Sequence, residues 1–171
     1  MRLFIAILPD ETMRQSLAGL QQAMKEKGIR GRYTDPFNMH VTLAFIGDYQ
    51  PEPVMDVLTE LPFEAFELVP EGILRLRDLY ACALRESPEL SAYVRRLRHA
   101  LAEQGIPFDR KAFRPHITLI RRPEYKKDPQ LGSLTIAEAG MKAEHMSLML
   151  STRGKSGMIY TELGSVSAQR D

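Results

Sequence analysis

Only one cysteine, Cys82, occurs in the 171-residue chain, so no internal disulfide can form. That fits a reducing compartment, and a cytoplasmic location is the expectation. No apolar run approaches the ~20 residues of a transmembrane helix, so no membrane role is expected. Leu3 to Leu8 is apolar for only six residues before Pro9 and Asp10. That is short for a signal peptide and reads as a first buried strand. Excess charge is missing too: 23 Lys and Arg face 22 Asp and Glu, a net charge of +1. A generic nucleic-acid coat would be far more basic. There is no glycine-rich phosphate loop, because Gly154-Lys155-Ser156-Gly157 lacks the preceding glycine and reads as a hairpin turn. Of four histidines, His99 and His145 show no spacing typical of zinc ligands and read as surface or packing residues. Cys82 lies in an apolar run and reads as a small core residue.

What is present is a repetition. His40-Val41-Thr42-Leu43 recurs as His116-Ile117-Thr118-Leu119, a separation of 116 − 40 = 76 residues. The same shift places Leu3, Phe4 and Leu8 on Leu79, Tyr80 and Leu84, and Phe37 on Phe113. Between these segments the shift becomes 77, placing Met13, Leu17, Leu20, Met24 and Gly28 on Leu90, Val94, Leu97, Leu101 and Gly105. Two repeat units, about 2–48 and 78–122, therefore make up one domain spanning residues 1–171. A hydrophobic content of 44% is enough to build its core.

Each unit reads as strand, helix, strand. The apolar steps of four, three and four mark one face of an amphipathic helix. Asp10 fits an N-cap, Ser87-Pro88 fits N-cap and N1, and Gly28 and Gly105 fit left-handed C-terminal glycines. A loop follows each helix and leads to a His-x-Thr-Leu strand. Val54, Val57, Leu58 and Leu61 predict a short helix after Pro53, and residues 63–76 one or two strands. Pro123 to Gly132 reads as a loop. Leu134 to Ile136, Met146 to Leu150 and Met158 to Leu163 read as strands. The expected fold is α+β: two pseudo-symmetric lobes, each with a mixed, mainly antiparallel sheet packed by helices, and a site in the central cleft.

In a strand, residues i and i+2 share a face. His40 and Thr42 point one way and Val41 and Leu43 the other, and the second motif repeats this. Two imidazoles, each beside a hydroxyl, can flank a bound group across a cleft. That is the equipment for acid/base chemistry at phosphorus, where a proton leaves one side and arrives at the other. Arg110, Lys111, Arg114, Arg121, Arg122, Lys126 and Lys127 surround the second motif and would attract a phosphate. Arg114, two residues before His116, is a candidate for phosphate contact. Arg121, just past the second motif strand, could also contact phosphate, with solvated surface the favoured reading. Phe4 and Tyr80 read as core residues, with base stacking the alternative.

The twin motifs, Arg2-Leu3-Phe4-Ile5-Ala6-Ile7, Phe113-Arg114-Pro115-His116 and the final Met146 to Met149 and Gly157 to Tyr160 strands resemble the two-histidine (2H) phosphoesterase superfamily. Within it, they are most similar to the RNA 2′,3′-cyclic phosphodiesterase (2′-5′ RNA ligase) family. The resemblance implies hydrolysis of RNA 2′,3′-cyclic phosphate ends to 2′-phosphomonoesters without metal or cofactor, and possible 2′-5′ ligation. It implies His40 as proton donor, His116 as proton acceptor, and Thr42 and Thr118 as phosphate-binding residues. RNA 3′ ends or cyclic nucleotides would be the partners of a monomer. The same chemistry on a small cyclic nucleotide or ADP-ribose cyclic phosphate, and a non-catalytic nucleotide-binding module, are the alternatives.

Overall fold

The computed structural model describes residues 2–134 and 140–170. The first half runs β1 (Arg2–Ile7), α1 (Glu11–Glu26), β2 (Arg30–Tyr33), β3 (Val41–Asp48), α2 (Pro51–Thr59), β4 (Phe66–Leu68) and β5 (Pro70–Leu76). It continues with β6 (Leu79–Leu84), α3 (Pro88–Glu103), β7 (His116–Glu124), β8 (Met141–Ala143), β9 (His145–Gly154) and β10 (Gly157–Ser167). One four-stranded sheet has the order β10-β9-β1-β3 and another the order β2-β7-β6-β5, while β4 and β8 form a small ribbon. Every named pairing is antiparallel. Two helix-packed antiparallel sheets thus form the two-lobed α+β fold. Ile136 of the expected Leu134 to Ile136 strand lies outside the described residues, and Leu134 is in a bend.

The helix ends follow local chemistry. The Asp10 carboxylate accepts from the Met13 amide at 2.8 Å, and the Ser87 hydroxyl accepts from the Leu90 amide at 3.2 Å with Pro88 at the first turn. Each cap satisfies a donor that the helix itself leaves unpaired. At the other ends Gly28 (φ 83°) and Gly105 (φ 70°) take the left-handed conformation. The next residues, Ile29 and Ile106, donate back to Met24 and Leu101 at 3.2 and 2.9 Å. Both isoleucines are buried, the apolar clasp of such a terminus.

The segments after α1 and α3 are not simple loops. After α1 the chain crosses to the other lobe, where β2 pairs with β7. After α3 it crosses the opposite way, and the Asp109 amide donates to the Phe45 carbonyl of β3 at 2.8 Å. Side chains reinforce the exchange. Gln21 of α1 donates to the Thr34 and Leu119 carbonyls at 2.7 and 2.9 Å. Arg98 of α3 donates to the Lys111 and Leu43 carbonyls at 2.7 and 3.5 Å. The contacts are reciprocal, each helix gripping the other lobe's His-x-Thr-Leu strand at its leucine. One apolar cluster, including Leu3, Met24, Leu43, Leu97 and Leu119, runs through both lobes. Burying each such side chain contributes roughly 1.5–3 kcal/mol.

Pairing at the motifs corrects one expected equivalence. A shift of 76 sets Phe4 on Tyr80 and Ala6 on Cys82, but these occupy opposite faces. Ala6 pairs with Thr42, whereas Thr118 pairs with Ala81. Phe4 and Ala6 thus belong with the motif face, while Tyr80 and Cys82 join the core on the other side. Measured from the histidine strands, the first strands of the two lobes are offset by 75.

Candidate active site

Both motif strands alternate as the sequence predicts. Val41, Leu43, Ile117 and Leu119 are buried, whereas Thr42 is exposed and Thr118 half-buried. His40 sits just ahead of β3, after a short 3-10 turn at Pro36–Asn38. His116 is the first residue of β7. Their anchoring is the same: His40 Nδ1 lies 2.7 Å from the Asn38 carbonyl, and His116 Nδ1 lies 2.6 Å from the Arg114 carbonyl. A carbonyl can only accept, so both Nδ1 atoms carry hydrogen and Nε2 is left for chemistry.

The surroundings of the two rings differ. Phe4 lies beneath His40 with centroids 4.8 Å apart, and Tyr160 meets it edge-to-face at 5.2 Å. Phe4 and Tyr160 also contact each other at 5.2 Å. The Asn38 amide side chain donates to the Met158 carbonyl at 3.0 Å, tying the approach to His40 onto β10. Burial in this aromatic corner holds the His40 pKa below the usual imidazole value. The Asn38 carbonyl opposes that shift, and the nearby Arg121 guanidinium and, more weakly, the His116 ring add to it. His40 of one lobe therefore lies within electrostatic reach of Arg121 and His116 of the other.

Arg121 reaches this position through a bulge. In β7, Thr118 faces Ala81 and Ile120 faces Tyr80, leaving Leu119 without a partner in β6. The extra residue reverses the alternation, so Leu119 and Ile120 are both buried and Arg121 joins the Thr118 face. In β3 the same irregularity falls at Leu43, between Thr42 and Ala44. Strict alternation would place Arg121 on the other face, with Leu119; from the sequence it is a candidate phosphate contact for which solvated surface is the favoured reading. Arg114 is exposed, and its backbone carbonyl holds His116. Tyr160 and Asn38 carry no signal in the sequence, since their contacts bridge the chain's two ends.

The remaining candidates lie elsewhere. His99 is exposed, 3.1 Å from Glu103 on the same helix, and His145 meets the Ser167 hydroxyl at 3.3 Å. Cys82 is buried, and burial pushes its thiol up to about 11, an inert core group.

A family sequence model described as LigT like phosphoesterase matches residues 7–75 and 84–160. The chain belongs to this family. The phosphoesterase chain is 33% identical to an RNA 2′,3′-cyclic phosphodiesterase of Thermus thermophilus, covering 95% of this chain and 88% of that one. It is 23% identical to a protein of the same name from Thermotoga maritima, covering 95% and 93%. The phosphoesterase fold superposes on E. coli LigT complexed with 3′-AMP with a TM-score of 0.82 at 22% identity, covering 99% and 98%. No described helix is long and apolar enough to cross a membrane.

Proposed function

We propose that this phosphoesterase hydrolyses 2′,3′-cyclic phosphate at RNA 3′ ends, leaving a 2′-phosphomonoester. The observation that carries the reading is the pair of imidazoles, one from each lobe, each locked through Nδ1 with Nε2 free. Water attacks phosphorus and gives its proton to neutral His116. The P–O3′ bond breaks, and the departing O3′ takes a proton from His40. Attack and departure are roughly in line, so acid and base belong on opposite sides of the phosphate. Thr42 and Thr118 donate hydrogen bonds to the non-bridging oxygens as charge develops, and Arg121 balances that charge. Neither a metal nor a cofactor takes part.

The low pKa of His40 bears on its role as donor. In the free protein burial favours the neutral ring. A bound phosphate anion favours the imidazolium and offsets the desolvation, so substrate itself charges the acid. The reading takes residues 1–171 as one catalytic unit, because each lobe supplies one histidine.

The test is hydrolysis of an oligoribonucleotide with a 2′,3′-cyclic end in excess EDTA, with the product identified by phosphorus NMR. A 2′-phosphate is expected. His40→Ala and His116→Ala should each lower kcat roughly 10²–10⁴-fold, the usual contribution of one positioned proton transfer. Full inhibition by EDTA, or unchanged turnover in either variant, removes the reading.

A further inference from the structure

The bulge that turns Arg121 toward the histidines is not secured by the strand it interrupts. Leu119 has no partner in β6, yet it is fully buried, and a buried carbonyl needs a donor. Both donors to the Leu119 oxygen come from outside that pairing. One is the Thr34 amide, at 3.0 Å. The other is the side-chain amide of Gln21, at 2.9 Å, which also donates to the Thr34 carbonyl at 2.7 Å. Two donors occupy both lone pairs of the Leu119 oxygen. Gly31 lets β2 lie close enough to β7 for this. A Cβ there would stand 2.7 Å from the Arg122 carbonyl oxygen and 2.9 Å from that of Arg121.

Arg121 itself depends on this backbone. Among the described residues no carboxylate lies within ion-pair distance of it. Arg32, directly opposite on β2, carries the same charge and repels it. The other lobe shows the same device with an apolar residue. There Leu43 is the unpaired residue of β3, and Phe45, two residues on, is turned onto Phe4, Ala6 and Met149. Packing holds Phe45 in place, and Arg98 reaches the Leu43 carbonyl only at 3.5 Å. Arg121 is exposed, so the direction of its side chain is set by the backbone beneath it.

We propose that Gln21 is a positioning residue for Arg121: reaching from the other lobe, its side-chain amide fixes the Leu119 bulge that aims the guanidinium at the reacting phosphate. This rests on the function proposed above and adds to it a residue that bonds to neither histidine. Without the Gln21 amide the Leu119 oxygen keeps one donor and the Thr34 oxygen loses the donor that Gln21 gives. The bulged register then loses its advantage over the regular one. A one-residue slip returns Arg121 to the other face, and even a partial one carries its charge away from His40. Helix α1 of one lobe thereby controls a charge that belongs to the other.

The experiment is a double-mutant cycle of Gln21→Leu and Arg121→Gln, read in two ways. The first reading is kcat for 2′,3′-cyclic CMP. Arg121→Gln should lower it at least about tenfold, the effect of losing one charge-stabilising group. Gln21→Leu should lower it about tenfold, since a misplacement of ~1 Å can cost up to about 10²-fold. Once Arg121 is glutamine, Gln21→Leu should cost less than about twofold. Losses that multiply in the double variant overturn the proposal. The second reading is an NMR titration of His40, which needs no turnover. Burial, and after it the Arg121 charge, hold the His40 pKa down, so moving that charge away raises it. Gln21→Leu and Arg121→Gln should each raise the His40 pKa, and the double variant should match Arg121→Gln. A role in stability alone would lower the unfolding midpoint and leave the His40 titration where it is, and that result refutes the proposal. Gln21→Met, of similar length but without a donor, repeats both readings if the leucine variant does not fold. If neither folds, Gln21 serves stability only and the proposal falls. If the wild type does not turn over cyclic CMP, the function above fails and the His40 titration decides the role of Gln21.

Discussion

Replacing Gln21 with leucine tests how the lobes are joined. The side chain is 5% exposed, and its amide nitrogen bridges the Thr34 and Leu119 carbonyls at 2.7 and 2.9 Å. The Leu119 oxygen keeps a second donor, the Thr34 amide at 3.0 Å. The Thr34 oxygen loses the donor that Gln21 provides. Two hydrogen bonds contribute roughly 0.5–1.5 kcal/mol each, and a carbonyl left unsatisfied costs roughly 1–3 kcal/mol. Apolar burial of the leucine offsets part of this, leaving an expected loss of about 2–4 kcal/mol. For a chain of this size that is a fall in Tm of about 5–15 °C. Urea unfolding should show a lower midpoint with an unchanged slope. Gln15→Leu is the control, since Gln15 makes only an exposed 3.3 Å contact with Glu11, and should stay within about 0.5 kcal/mol. If Gln21→Leu loses no more than the control, the bridge does not hold the lobes together. Arg98, the reciprocal residue, makes one short and one long contact nearer solvent, so Arg98→Met should cost less.

Two further outcomes follow from the site and its edge. With His40 as the acid, activity falls as pH rises through its pKa, so the alkaline limb of kcat/KM lies below the usual imidazole value. Tyr160→Leu admits water to His40, which should move that limb upward and lower kcat about 2- to 10-fold, the value of one aromatic contact. An unmoved limb in pH–rate profiles, or an unmoved His40 in an NMR titration, contradicts the role given to Tyr160. Gly31→Val places a Cβ against two backbone oxygens at positive φ, so thermal unfolding should show a loss of at least about 2 kcal/mol. Gly72→Ala, also at positive φ but with open space around it, should lose less, and equal losses would show that the β2–β7 approach is not tight.

A good deal of this arrangement is legible in the linear chain. Alternation over Val41 to Leu43 and Ile117 to Leu119 sets which side chains are buried. The caps at Asp10 and Ser87 and the glycines at 28 and 105 bound two helices, because these signals act within one turn of their own position. The β2 strand is not legible: Arg30-Gly31-Arg32-Tyr33 has no apolar alternation, and its pairing partner lies in the other lobe. The equivalence of Phe4 and Tyr80 fails for a related reason, since strand pairing, and not residue spacing, decides which face a side chain takes.

Residue order alone determined the two motifs, the helices behind them and the residue types suited to proton transfer. Tertiary structure decided that each post-helix segment crosses to the opposite lobe, that Phe4 and Tyr160 enclose His40 while no aromatic ring among the described residues packs on His116, and that Arg121 faces the histidines. The bulge at Leu119 is the clearest case. One residue without a ladder partner reverses every side chain beyond it. Whether a strand bulges depends on the neighbours it pairs with, which lie far away in sequence, so local spacing could not reveal it.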